Sequence, residues 1–179
     1  MMRSEKLNTT LNGSKHEILQ FIIPEGNKHM VFEEGNFLRQ YVYQPYSSPD
    51  LVVMREECGL MPRDCTFTIR VMELSGPDLN VISCTGHTRT EITAFNAGYP
   101  FIRLPPATDR TEKWEYCFSE GITVKCQSVR INGRIKGVYQ EILQVKRDMV
   151  YCDHQVADNL STVEYYLNGV GMYKMAYVN

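Results

Sequence analysis

Long hydrophobic runs are missing from this chain of 179 residues. The longest apolar stretch near its start, Phe21-Ile22-Ile23, falls far short of the roughly 20 residues a membrane-spanning helix needs, so no transmembrane segment is expected. Charge of one sign is missing too. Nineteen basic residues face 21 acidic ones, for a net charge of −2, and nothing in that balance recruits nucleic acid or an anionic membrane. No nucleic-acid partner is expected. Residues 1–17 are polar and contain no signal-peptide apolar core. The chain as written reads as cytoplasmic, with the cell envelope or periplasm as the alternative if a leader has been removed.

Motifs for chemistry are also absent. The six cysteines, Cys58, Cys65, Cys84, Cys117, Cys126 and Cys152, include no C-x-x-C, and no histidine stands at zinc-finger spacing. They read as buried thiols, small and apolar, with disulfides in an exported protein as the sharper alternative. Cys117 and Cys126 flank one turn and face each other if the strand register allows. The four histidines, His16, His29, His87 and His154, stand far apart. Only His87, in Thr85-Gly86-His87-Thr88-Arg89, sits in a polar cluster. There is no G-x-S-x-G, no phosphate-binding loop and no H-E-x-x-H. Glu33-Glu34 and Glu56-Glu57 are adjacent pairs, which on a strand point to opposite faces and form no acid–base couple. No catalytic residue, metal or cofactor is therefore assigned. The three sequons at Asn8, Asn12 and Asn159 lie in turn-like sequence and read as chance.

What the chain does have is alternation punctuated by turns. Trp114, Tyr116 and Phe118 alternate. Ser119-Glu120-Gly121 reverses the chain, and Ile122, Val124 and Cys126 alternate again. Asn132-Gly133 and Asn168-Gly169 are read as two-residue hairpin turns, because a type I′ turn needs positive φ at both central residues. Thr66–Leu74 shows the cleanest alternation, with Phe67, Ile69 and Val71 expected inside and Thr66, Thr68 and Arg70 outside. Ser75-Gly76-Pro77-Asp78 turns it. Eleven tyrosines and seven phenylalanines against one tryptophan suit pleated faces.

Along the chain, residues 1–16 are expected to be a flexible N-terminal segment and 17–179 a single β domain. Glu17–Ile23 reads as the first strand, His29–Glu33 as the second and Phe37–Gln44 as the third. Asp50–Glu57 reads as either a short helix or a strand. Leu79–Thr85 and Arg89–Phe95 continue the β pattern, and Asn96–Asp109 reads as a long loop. The fold class is mainly β: an antiparallel half-barrel, barrel or sandwich of about ten to twelve strands with little helix. The expected core is Phe67, Ile69, Val71, Trp114, Tyr116, Phe118, Ile122 and Val124.

The blocks Trp114-Glu115-Tyr116, Gly121-Ile122-Thr123-Val124-Lys125-Cys126, Glu141–Lys146 and Glu164-Tyr165-Tyr166-Leu167-Asn168-Gly169-Val170-Gly171-Met172-Tyr173-Lys174 resemble the C-terminal half of bacterial cell-envelope proteins of unknown function. Those proteins have a half-barrel, or β-clam, fold similar to lipoprotein carriers. The resemblance covers the C-terminal third only and implies fold more than activity. This chain lacks their signal peptide and lipobox cysteine.

Two functional expectations follow. The first is a non-enzymatic binding or envelope-associated protein that holds an apolar small molecule or a protein partner on a curved sheet. Its candidate ligand-binding residues are Tyr99, Phe101, Ile102 and Leu104, in a loop unusually apolar for a surface, together with Tyr165 and Tyr166. The competing role for these groups is packing: the loop plugs the open end of the sheet, and a tyrosine covers Gly171. The second expectation is a hydrolase-like enzyme with a loop-built site near His87.

Overall fold

The computed structural model describes residues 17–23, 30–34, 37–45, 48, 50–60, 64–85, 92–119, 121–151 and 161–178. Ile18, Phe21 and Ile22 recur at the spacing of one helical face. Residues Glu17–Ile22 accordingly form a short helix, α1, with all three side chains fully buried. This corrects the strand expected over Glu17–Ile23. An apolar run this short fits either element, and burial of one side against a sheet decides for helix. Residues 1–16, with the flexible segment expected there, lie outside the described residues.

The rest is β structure in two antiparallel sheets, each a meander in chain order. The first contains β1 (Met30–Glu34), β2 (Phe37–Pro45), β3 (Leu51–Leu60), β4 (Asp64–Ser75), β5 (Asp78–Thr85) and β6 (Ile92–Arg103). The second contains β7 (Thr111–Ser119), β8 (Ile122–Ile135), β9 (Val138–Tyr151), β10 (Ser161–Leu167) and β11 (Gly171–Val178). The protein is mainly β with little helix, as the alternation implied, and the sheets do not close into one barrel. The ambiguous Asp50–Glu57 segment falls in strand β3. The long loop expected over Asn96–Asp109 is corrected as well: β6 runs to Arg103, and only residues 104–110 link the sheets.

Turn chemistry was read well at two turns, Ser75–Asp78 and the one after Ser119, which pairs with Ile122 and has Gly121 at φ 81°, and was misread in others. Ser75 pairs with Asp78 across Gly76-Pro77, with Gly76 at φ 61°, as expected. Asn132-Gly133 is not a turn. It lies within β8, where Asn132 pairs with Glu141 and Gly133 with Gln140. The reversal occurs at Lys136-Gly137, both at positive φ (49° and 87°), between the paired Ile135 and Val138. A Cβ at Gly133 would meet Cδ1 of Ile142 on the facing strand, the end of a flexible side chain that would have to shift. Asn168-Gly169 does turn the chain, but in a three-residue loop, since Leu167 pairs with Gly171. Gly171 itself sits at φ 81°, so its backbone explains it.

Both sheets and α1 contribute to one buried cluster. It includes Val52, Met54, Met72, Leu74, Leu79 and Val81 from the first sheet, Trp114, Val124, Leu143, Val145 and Tyr166 from the second, and the three α1 side chains. The inward face of β4 is therefore that of Arg70, Met72 and Leu74, which corrects the expected Phe67–Ile69–Val71 face. Ile69 and Val71 are only half-buried, and the side chain of Phe67 lies outside the described residues. Trp114 and Val124 are buried as expected. Tyr116 and Ile122 are half-buried, and the side chain of Phe118 lies outside the described residues.

Strand β6 is the last strand of the first sheet, so one row of its backbone polar groups has no neighbouring strand there. Side chains of the second sheet supply partners. The Trp114 indole N–H donates to the Pro100 carbonyl (2.8 Å), Arg147 Nη1 to the Phe101 carbonyl (2.8 Å) and Ser128 Oγ to the Arg103 carbonyl (2.6 Å). These three bonds fix the second sheet against the first along β6.

Candidate functional site

The register of the second sheet puts polar residues on its inward face. Cys126 pairs with Arg147, and Arg147 with Thr162; Val145 pairs with Glu164, and Glu164 with Met175. These residues share a face with core Val124, Leu143 and Tyr166, so Arg147 and Glu164 are carried inside. In the first sheet Met54 pairs with Arg70 and Val52 with Met72, which carries Arg70 inward as well. Where the two inward faces meet lies a cavity of about 160 Å³. Met54, Glu56, Arg70, Tyr99 and Phe101 line it from the first sheet, and Tyr116, Arg147, Thr162, Glu164 and Met175 from the second.

Two ion pairs define its chemistry. Arg147 donates from Nε and Nη2 to the two carboxylate oxygens of Glu164 (3.1 and 3.2 Å), a bidentate arrangement. The Tyr166 hydroxyl donates to the same carboxylate (2.8 Å). Arg147 also lies 4.3 Å from the Phe101 ring centroid and 3.7 Å from Cys126 Sγ. On the opposite wall, Arg70 donates from Nη1 to Glu56 (3.0 Å). The Tyr99 and Tyr116 rings stack across the two sheets, centroids 4.4 Å apart. The lining thus combines aromatic and methionine walls with two self-neutralising charge pairs.

Burial opposes the charge on both arginines. The carboxylates of Glu56 and Glu164 more than offset it, and both guanidinium groups are held above their ordinary range. Burial pushes the Tyr99 phenol up and the Tyr116 phenol up to about 12. The Cys126 thiol is likewise pushed up, mainly by burial. The shifts of the cavity phenols Tyr99 and Tyr116, and of the nearby Cys126 thiol, all favour the neutral, protonated form. A nucleophile needs the reverse.

Of the six residues expected from sequence, the structure brings Tyr99 and Phe101 to the cavity. Ile102 and Leu104 are buried in the core behind it and fill space. Tyr166 is fully buried and acts through its bond to Glu164. Tyr165 is on the opposite face of β10, against Tyr173 (centroids 6.0 Å apart) and Lys174. Arg70, expected outside with Thr66 and Thr68, and Arg147 and Glu164 are not among the residues the sequence singles out for the site. Their signal was parity: Arg147 alternates with Val145 and Leu143, and Glu164 with Tyr166. Cys117 pairs with Thr123 and Cys126 with Trp114, so the two cysteines do not face each other, and Cys126 is a thiol. His87 and the other three histidines lie outside the described residues.

A second charged cluster closes the end where α1 docks. Arg130 donates from Nε and Nη2 to the two oxygens of Glu141 (2.9 and 2.8 Å) and from Nη2 to Glu17 of α1 (2.6 Å). Thr108 of the inter-sheet link also donates to Glu141 (3.0 Å). Gln20 of α1 accepts from the Gly169 backbone N–H (2.7 Å) through its carbonyl.

Comparison of the chain with protein-family models, with curated proteins and with solved structures found no match. Among the described residues, no group of three or more His, Cys, Asp or Glu side chains is placed to hold a metal ion. No helix among them is long and apolar enough to cross a membrane.

Proposed function

We propose that this is a binding protein and that the inter-sheet cavity is its ligand site. The observation that carries this reading is the charged lining of a cavity between the two sheets. Burying an ion pair costs desolvation that well-packed apolar residues of the same volume avoid, so the buried Arg147–Glu164 pair beside the half-buried Arg70–Glu56 pair is a costly lining for stability alone. They are suited to fixing the orientation of a small polar guest. The two arginines and two glutamates sum to no net charge, which disfavours a singly charged guest in a site partly withdrawn from water. The volume is comparable to the roughly 150 Å³ cavity that admits benzene. The guest is therefore a net-neutral molecule of about that size, with an apolar body against Tyr99, Phe101, Met54 and Met175 and one or two polar groups. The blocks resembling half-barrel envelope proteins support the same binding role. The upward shifts of the phenols and thiol favour binding over catalysis.

Calorimetric titration with p-cresol, toluene and benzoate tests this. The reading predicts p-cresol bound more tightly than toluene, benzoate excluded, and p-cresol binding lost in Thr162→Phe, which fills the cavity. Absence of heat with all three probes, or binding unchanged in a folded Thr162→Phe variant, overturns it.

A further inference from the structure

Strands β8 and β9 are each 14 residues long and outrun their neighbours. The pairing of β7 with β8 begins at Thr111–Val129, and that of β10 with β9 ends at Leu167–Ile142. Beyond those points, from Asn132–Glu141 to Ile135–Val138, the two strands pair only with each other among the described residues. The result is a two-stranded arm projecting roughly 10 Å from the sheet at about 3.3 Å per residue. Its root is held firmly. Arg130 and Glu141 clasp across the two strands, and the Asp109 N–H donates to the Arg130 carbonyl (2.7 Å).

The tip is unusual for a solvated hairpin. Tyr139 is 78% exposed and Val138 59% exposed, the two largest such values among the exposed hydrophobic side chains described. Ile135 is half-buried beside them. Arg134 donates from Nε to the Gly137 carbonyl (3.0 Å) and lies 5.9 Å from the Tyr139 ring centroid, so the cation and the aromatic ring are presented together. Lys136 occupies the turn itself and is exposed. From Ile131 to Gln140 there are two cations and no carboxylate, against a net charge of −2 for the whole chain. The arm thus departs from the charge balance of the rest of the molecule.

We propose that the arm is a docking finger for an anionic lipid surface. Val138, Tyr139 and Ile135 enter the headgroup boundary, where an amphipathic aromatic ring is favoured, and Arg134 and Lys136 contact lipid phosphates. The apolar tip selects this partner. A nucleic-acid groove would use more cations along the ribbon and would leave Val138 without a role. The clamped root gives the finger a fixed direction, so little order is lost on docking.

Cosedimentation of the full chain with vesicles tests the proposal, using phosphatidylcholine alone and phosphatidylcholine with 30% phosphatidylserine at low salt. The expected result is binding to the phosphatidylserine vesicles only, weakened by salt. Arg134→Gln and Lys136→Gln should each reduce partitioning about fivefold, near the effect of one basic residue at such a surface. Val138→Ser/Tyr139→Ser should abolish it while leaving the melting temperature unchanged. No binding at millimolar lipid overturns the proposal, as does binding indifferent to these variants. A tip-dependent dimer in gel filtration would instead make a second copy the occupant, and tip-dependent retention of a short DNA duplex would make it nucleic acid. Cavity binding of p-cresol is read separately, so failure of one idea leaves the other standing.

Discussion

Arg130 and Arg147 come from the inward faces of adjacent strands, each clasps a glutamate with two bonds, and each is 8% exposed. Their surroundings differ. Arg130 joins α1, the inter-sheet link and the root of the arm, and its partners Glu17 and Glu141 keep 41% and 28% of their side-chain surface. It behaves as a clamp at a wet seam. Arg147 and Glu164 keep 9% and 12%, and they border a cavity rather than a seam. The same pairing chemistry therefore does different work. At the seam it ties elements together at modest desolvation cost. Inside, the desolvation cost is higher and the pair lines a cavity.

The largest expected effect breaks the inner pair. Arg147→Leu leaves Glu164 buried without its cation and should cost about 3–5 kcal/mol in urea denaturation. The double variant Arg147→Leu/Glu164→Leu should recover most of that loss. A single variant costing under about 1 kcal/mol would mean that water reaches the pair and that it is no different from the seam. The corresponding change at the seam, Arg130→Leu, should cost only about 2 kcal/mol, because its carboxylates regain water when released. Equal costs at the two sites would erase the comparison. Gly137→Val, at the true hairpin turn, should cost about 1 kcal/mol, since a β-branched residue resists positive φ.

Titration sharpens the same contrast. Burial raises the Tyr116 phenol from its ordinary value of 10.0 to about 12. The folded state then holds its proton more tightly than the unfolded one. The resulting stability is fully present below pH 10 and is lost as pH climbs toward 12. Tyr116→Phe should flatten that alkaline limb of the stability curve. At the seam the sign reverses. Hydrogen bonding from Arg130, above all, holds the Glu141 carboxyl below its ordinary 4.5. Its contribution is present above that value and is lost as pH falls below it, and Glu141→Gln should remove this small acid-side dependence.

The β class was legible in the sequence because it rests on local rules, alternation and turn residues, that each strand obeys separately. The errors arose where a tertiary contact outvoted a local rule. Asn132-Gly133 carries the strongest hairpin signal, yet Lys136-Gly137 takes the turn and Gly133 makes room for Ile142. Ile18, Phe21 and Ile22 are too few to declare a period, and the sheets they plug decide it. The site was half legible. Tyr99 and Phe101 stood out as apolar residues in a segment read as a loop. Arg70, Arg147 and Glu164 carry only the parity of their own strands as a signal, and an inward charge is settled only when its partner on another strand is known. Arg147 and Glu164 are 17 residues apart, and Arg147 lies 46 residues from the Phe101 carbonyl it also binds. No reading of one strand at a time links them.

The most direct measurement uses the methionines as reporters. Met54 and Met175 line the cavity, whereas Met72 and Met172 are equally part of the core but not of its lining. In protein labelled at the methionine methyl carbons, titration with p-cresol should shift the Met54 and Met175 resonances and leave those of Met72 and Met172 in place. Four unmoved methyl resonances at saturating p-cresol, or shifts at Met72 and Met172 alone, would contradict a ligand site between the sheets.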